Sequence, residues 1–242
     1  MLTKGKAHPP ERPKRFYTEA QAGPLDGGFG VLLDGRPVRT PAGARLVMPT
    51  EALARLVAEE WSLQGEEIVL ADMPSTRLAH TAFDRVPQVR EAVAEEAARY
   101  AGSDVLCYFA DGPEGLAARE RAEWEPWLDW AETELGLHFV RVTGVLHRDQ
   151  PEETLARARA LALELDDFRL TGLASAAALF GSAVLAFAVL RGKLSGPAAF
   201  GLSRLDEIFQ QERWGVDSEA AARTEKMLAE AQMLERWFLA LG

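Results

Sequence analysis

The sequence has little cysteine and none of the short motifs that mark common catalytic or nucleotide-binding sites. Its single cysteine among 242 residues, Cys107, excludes an internal disulfide and any metal centre held by several cysteines. Cys107 lies in an apolar run, residues 105–109, where we expect a packed side chain rather than a reactive thiol. Nucleophile elbows, zinc-protease motifs, dinucleotide fingerprints and phosphate loops do not occur. The four histidines lack metal-ligand spacing. The sequence therefore predicts no cofactor, no metal and no familiar catalytic centre.

An excess of basic charge is also missing. The formal net charge is −10. The first 50 residues carry eight Lys or Arg against four Asp or Glu, which leaves 19 basic and 33 acidic residues in the rest of the chain. An acidic body repels phosphate backbones, so we expect no nucleic-acid partner, whereas a basic protein surface would be attracted. The polar first 15 residues resemble neither a secretory signal nor a transit peptide, which indicates a cytoplasmic protein.

Long hydrophobic runs are scarce, and the one that exists is weakly lipophilic. Residues 170–190 form 21 positions without a charge, which is long enough to cross a bilayer. Seven of these positions are alanines, however, and a helix that is apolar on all sides also occurs at the centre of a helical bundle. We therefore favour a buried central helix over a membrane span, and we expect no stable membrane insertion.

The remaining pattern predicts strands first and helices afterwards. Residues 29–33 and 36–40 flank Asp34-Gly35, a dipeptide suited to a tight hairpin, and the glycine-rich stretch 23–30 is interpreted as a turn region. From Thr50, a good helix cap, the pattern is helical apart from a loop around residues 65–75 and one short strand within 139–145. The predicted class is α+β. A small N-terminal antiparallel β-rich domain, residues 1–49, precedes a larger, mostly α-helical domain, residues 50–242.

Residues 205–220 predict a helix with two different faces. The apolar face, which suits a core, carries Leu205, Ile208 and Phe209. The other face carries a carboxylate, two amides and an indole, on Glu207, Gln210, Gln211 and Trp214. Such groups can hydrogen-bond to a protein and stack on it, but they include no nucleophile. This face is either a site for a protein partner or an ordinary solvated surface that ends at Gly215.

Two further features allow a functional interpretation. Arg77 follows a proline-fixed turn and can either contact a partner or form a salt bridge with Asp84 or Glu60. Three tryptophans, Trp124, Trp127 and Trp130, recur every three residues. They either pack in the core or form the floor of a small-ligand pocket, and the pocket would make the chain an enzyme.

Several segments resemble, in order along the chain, the ATP-twelve family of ATP synthase assembly chaperones. The matching segments are residues 33–41, 60–65, 73–78, 104–108, 124–126, 181–182, 206–210 and 214–215. Three residues depart from the family pattern, which leads us to expect a basic residue at Phe109, glutamine at Glu120 and aspartate at Glu125. The ordered series nevertheless covers nearly the whole chain.

The resemblance implies a chaperone that holds the free α subunit of the catalytic sector of F-type ATP synthase until the β subunit joins it. It also implies a small β-rich domain followed by a helical one, and no enzymatic activity. The family's important acidic position falls on Glu207, and its amide on Gln210. The predicted partner-binding residues are therefore Glu207, Gln210, Gln211, Trp214 and Arg77. The compartment would be the bacterial cytoplasm, or the mitochondrial matrix for a processed eukaryotic form.

Overall fold

A computed structural model describes residues 12–144, 146, 148–215 and 218–242, with the side chains of residues 218–220 left aside. Two of the four histidines, His8 and His147, lie outside the described residues. Within them, a three-stranded antiparallel sheet precedes a large helical body, which confirms the α+β prediction. The strands of the sheet are β1 (Ala20–Leu25), β2 (Gly28–Leu33) and β3 (Arg36–Pro37).

The predicted hairpin is confirmed, and the glycine-rich stretch before it is different from the prediction. Asp34 and Gly35 adopt φ angles of 46° and 79° between β2 and β3, as a two-residue turn requires. Only Asp26-Gly27 forms a turn in the stretch 23–30, because the residues on either side belong to β1 and β2. Gly28 lies in a strand, where a Cβ atom would be 2.6 Å from the carbonyl oxygen of Met48. Close backbone approach, rather than turning, explains this glycine.

Ten α-helices follow among the described residues. They are α1 (Glu51–Ser62), α2 (Pro74–Asp84), α3 (Val86–Gly102), α4 (Glu114–Trp130), α5 (Glu152–Leu163), α6 (Asp167–Phe180), α7 (Ala183–Leu190), α8 (Gly196–Ser203), α9 (Leu205–Trp214) and α10 (Ser218–Leu241). Helix α1 begins as predicted, since the Thr50 hydroxyl accepts a hydrogen bond from the Leu53 N–H at 3.2 Å. A short parallel pair, β4 (Tyr108–Phe109) and β5 (Val142–Thr143), lies between helices, and β5 falls inside the predicted strand.

The start of helix α2 was missed, because residues 65–75 were expected to be a loop and the helix begins at Pro74. Pro74 opens the helix, and the carboxylate of Glu60 on α1 accepts hydrogen bonds from the backbone N–H groups of Ser75 and Thr76 at 2.7 and 2.8 Å. The first N–H groups of a helix need acceptors, and here they come from a residue of the preceding helix. A local sequence pattern cannot reveal such a cap.

The uncharged run of residues 170–190 is buried as expected, but it forms two helices rather than one. Helix α6 ends at Gly181, which has a φ of 62°, and the Ser182 hydroxyl caps α7 by accepting from the Leu185 N–H at 3.0 Å. Glycine followed by serine is a typical stop and start signal. No helix among the described residues is long and apolar enough to cross a membrane.

A single hydrophobic cluster extends from Tyr17 of the sheet region to Leu241 of the last helix. Helix α1 packs on β1 and β2 with one side and on α10 with another, and the Thr50 hydroxyl donates to the Ala240 carbonyl at 2.6 Å. The core therefore runs across residue 50, where the strands give way to helices. The division into domains at residues 1–49 and 50–242 stays a prediction.

Candidate functional site on helix α9

Helix α9 is held to the body by one side. Leu205 and Phe209 are buried, whereas Ile208, which was expected beside them, is only half-buried. These apolar side chains face α4 and α8, and a Cβ atom at Gly115 of α4 would lie 3.8 Å from the Phe209 ring. The opposite side of α9 faces away from both helices.

Charged contacts fix the orientation of α9 on α4. Arg119 of α4 donates to both carboxylate oxygens of Glu212 at 3.0 Å. The guanidinium of Arg213 lies 4.2 Å from the centre of the Phe209 ring. Gly215 ends the helix with a φ of 86°, and its N–H donates to the Gln211 carbonyl at 2.9 Å. Both bonds to Glu212 come from the Nη1 atom of Arg119, and an exposed pair of this kind orients α9 while its net stabilisation is small.

Four of the five predicted partner-binding residues lie together on this helix. Glu207, Gln210, Gln211 and Trp214 share an arc of about 100° on the side away from the core. We call them the α9 face. The indole of Trp214 is 77% exposed, which is unusual for so large an aromatic side chain. Glu207 is partly exposed and pairs with Arg204 at 3.2 Å. The face therefore offers hydrogen-bond donors, acceptors and a flat apolar ring to solvent.

Arg77, the fifth predicted residue, lies elsewhere. It is exposed on α2, beside a hollow of about 200 Å³ that α6 and α10 also line. The salt bridges considered for Arg77 do not form in the described part of the chain, because both carboxylates bind backbone N–H groups. Glu60 caps α2, and Asp84 accepts from the N–H of Ala42 at 3.3 Å. Arg77 is thus not part of the α9 face.

Of the three tryptophans of α4, Trp124 lies in the core, and Trp127 and Trp130 are partly buried and pack against it. Trp124 is 2% exposed, and its indole N–H donates to the Leu202 carbonyl of α8 at 3.0 Å. Trp127 and Trp130 meet edge to face with their ring centres 6.1 Å apart. Five hollows on the described surface are lined by other residues. None of these five hollows therefore has the tryptophans of α4 as its floor.

Two buried carboxyl groups were missed by the sequence analysis, which interpreted most acidic residues as solvated. Asp104 accepts hydrogen bonds from the N–H groups of Leu106 and Val184, and burial raises its pKa to about 6. Glu120 is fully buried on α4, and burial together with a contact to Asp206 of α9 raises its pKa to about 7. A signal for Glu120 did exist, because it follows Leu116 by four residues on the buried stripe of α4.

These features are typical of one class of protein. Among the described residues, no group of three or more acidic, histidine or cysteine side chains could hold a metal ion. The exposed α9 face carries side chains of the kinds that occur at protein interfaces, and its groups include no nucleophile. The arrangement is that of a binding protein with a helical scaffold.

Comparison with known proteins gives the family. A family model described as ATP12 chaperone protein matches residues 14–132. The crystal structure of Atp12 from Paracoccus denitrificans has a TM-score of 0.88 and 41% identity, over 95% of this chain and 99% of that chain. A structure of a point mutant of the P. denitrificans protein agrees equally well, with a TM-score of 0.88. Protein atp12, mitochondrial, of Schizosaccharomyces pombe is 25% identical over 214 residues, which are 84% of this chain and 74% of that protein.

The chain belongs to the ATP12 chaperone family, which serves the assembly of ATP synthase. The resemblance inferred from the ordered motifs is confirmed. The protein is therefore a chaperone and not an enzyme.

Proposed function

We propose that this chaperone binds the free α subunit of the catalytic sector of F-type ATP synthase and prevents its aggregation until the β subunit joins. An α subunit awaiting assembly exposes surface that is later buried, and such surface aggregates when it is left open. A protein that covers it temporarily needs a binding face without catalytic groups, and an affinity low enough for displacement by the proper partner.

The observation that carries this proposal is the composition and exposure of the α9 face. A protruding indole beside a carboxylate and two amides is typical of the centre of a protein interface, where tryptophan supplies much of the binding energy. Glu207 would accept hydrogen bonds from a basic or amide group of the α subunit, and the net charge of −10 would attract a basic surface. Arg77 is proposed as a separate contact outside this face. The proposed compartment is the bacterial cytoplasm, or the mitochondrial matrix in a processed eukaryotic form.

Replacement of Glu207 tests the proposal. Glu207→Lys reverses the charge at the centre of the face, and we expect a loss of about 2 kcal/mol in binding, or roughly thirtyfold in affinity. The circular dichroism spectrum should be unchanged and the melting temperature nearly so, because the pair with Arg204 is exposed and weak. The measurement is the amount of α subunit that stays soluble and copurifies when the two proteins are co-expressed.

Matched controls separate the α9 face from general surface effects. Glu225→Lys makes the same charge change at an exposed position of α10, and it should leave protection intact. Trp214→Ala should weaken protection, whereas Leu63→Ala, at a side chain 83% exposed near the end of α1, should not. Normal protection by both Glu207→Lys and Trp214→Ala would show that the α9 face is not the interface.

A further inference from the structure

We propose that Glu120 is a positioning residue for the α9 face: its protonated carboxyl group donates a hydrogen bond to Asp206 and thereby holds the first turn of α9 on α4. The inference rests on the proposed function only where binding of the α subunit is the readout. The contact between α4 and α9 through Glu120 lies within this chain and does not depend on the proposed function.

The surroundings of Glu120 require a proton. Its Oε2 atom accepts a hydrogen bond from the backbone N–H of Ala110 at 2.6 Å. Its Oε1 atom is buried, and no hydrogen-bond donor of the described residues reaches it. The group in contact with Glu120 is the carboxyl group of Asp206. Two ionised carboxylates are acceptors only, so a hydrogen bond between them exists when one of them carries a proton. Glu120, as the buried partner, is the one that holds it.

The charges around this pair do not neutralise it. Asp206 reaches Glu120 from α9, and Arg121, on the same helix as Glu120, has the smallest of the resolved influences on it. The strand segment after β4 contributes the Ala110 N–H, and α8 contributes a carbonyl that binds Trp124 instead. The surrounding charged side chains Arg119, Glu123, Arg204, Glu207 and Glu212 pair among themselves. In the described part of the chain, neither Glu120 nor Asp206 forms an ion pair.

The pair lies where it can control the binding face. Asp206 directly precedes Glu207 in the first turn of α9, whereas the Arg119–Glu212 pair fixes the other end of the helix. Ionisation of Glu120 would place a buried negative charge beside the exposed carboxylate of Asp206, and this end of α9 would move away from α4. Binding of the α subunit should therefore weaken as the pH rises through about 7, the pKa to which burial and Asp206 raise Glu120.

The decisive variant is Glu120→Gln. Its amide N–H₂ donates to Asp206 and its oxygen accepts from Ala110 at every pH, so it imitates the protonated acid permanently. Glu120→Leu removes both bonds, and Glu125→Gln changes a carboxyl group on the same helix as a control. Affinity for one preparation of α subunit is measured for each variant from pH 6 to pH 8.5 at constant ionic strength. Titration of the α subunit itself is common to all variants and cancels in the comparison.

We expect the original protein and Glu125→Gln to lose roughly tenfold in affinity across this range relative to Glu120→Gln. Glu120→Gln should bind like the original protein at pH 6, and Glu120→Leu should bind weakly throughout. The inference is overturned if Glu120→Gln shows the same pH dependence as the original protein, or if a folded Glu120→Leu variant binds normally.

Hydrogen exchange of the α9 amides provides a readout without a partner. After correction for intrinsic exchange rates, protection of residues 205–214 should fall above pH 7 in the original protein and stay constant in Glu120→Gln. If this difference is observed but no variant binds the α subunit at any pH, the proposed function fails and the link between α4 and α9 stands. If protection is equally insensitive to pH in both proteins, the link itself is wrong.

Discussion

Carboxyl groups inside the molecule have structural roles that their surface-like sequence context does not reveal. Glu60 caps α2, Asp104 binds the first N–H groups of α7, and Glu120 contacts α9. In each case the oxygen atoms accept hydrogen bonds from backbone groups that would otherwise be buried without acceptors. Acidic residues therefore connect helices to one another here, in addition to giving the surface its negative charge.

The substitution Asp104→Asn tests this role at a single residue. Asp104 is fully buried and accepts from Leu106 and Val184 at 3.2 and 3.0 Å. An amide has one acceptor oxygen, and its N–H₂ group would oppose a backbone donor, so we expect a loss of about 2–4 kcal/mol in the free energy of unfolding. Urea denaturation at pH 7.5 measures the loss. Asp111→Asn, at an exposed position nearby, should be neutral, and equal stability of both variants would refute the interpretation.

At position 120 the sequence reveals an unusual residue but not the contact that explains it. The family resemblance leads to the expectation of glutamine there, and the sequence shows the departure directly. A protonated carboxyl group offers the same donor and acceptor as an amide, so the proton proposed on Glu120 would give it the hydrogen bonds of a glutamine. The sequence could not supply this reason, because Asp206 lies far along the chain and only the packing of α9 on α4 brings it near.

At the scale of elements, the boundaries that were predicted correctly depend on residues close in sequence. Thr50 caps the helix that follows it, Asp34-Gly35 turns one strand into the next, and Gly215 ends α9. The boundaries that were missed depend on tertiary contacts or on a signal hidden in an apolar run. Helix α2 needs Glu60 of another helix, and Gly181-Ser182 divides a run that looks continuous by hydrophobicity alone.

Close packing of α8 on α10 gives a prediction at this scale. A Cβ atom at Gly196 would lie 2.0 Å from the carbonyl oxygen of Ala231, which is backbone and cannot turn aside. Gly196→Ala should therefore cost about 2–4 kcal/mol in the free energy of unfolding, because the two helices must separate. Gly201→Ala lies on the same helix with open space around the new atom, and it should be neutral or stabilising by up to about 1 kcal/mol.

Thermal denaturation of the two alanine variants measures this difference. A lower melting temperature for Gly196→Ala alone would confirm that the contact between α8 and α10 is at its closest possible distance. Similar melting temperatures for both variants would mean that the helices adjust at little cost, contrary to the prediction.

At the scale of the whole molecule, the α9 face could be predicted because helical periodicity sorts its residues by side. The packing of α9 on α4 and α8 could not be predicted, because no pattern in the sequence indicates that these two earlier helices contact α9. Arg77 illustrates the same limit, because its separation from α9 follows from the packing of α2 against α6 and α10. The overall fold that determines these positions is shared with the Paracoccus protein.

The buried carboxyl groups also predict how global stability depends on pH. Burial raises the pKa of Asp104 from 3.8 to about 6, and burial with Asp206 raises that of Glu120 from 4.5 to about 7. The native state then binds more protons than the unfolded chain, so the contribution of these groups to stability is full below their unfolded pKa values and is lost as the pH rises toward 7. His80 acts in the opposite direction, because burial lowers its pKa and its protonation below about pH 6.5 favours unfolding.

A difference profile isolates Glu120 from these other groups. Since Glu120→Gln removes one titration and leaves Asp104 and His80 in place, the stability of the variant minus that of the original protein should rise between about pH 4.5 and pH 7 and then level off. We expect a rise of about 1–3 kcal/mol, measured by urea denaturation at intervals of half a pH unit. A difference that is independent of pH would mean that Glu120 titrates alike in the folded and unfolded chains. The shared proton would then have no part in holding α9 to the body.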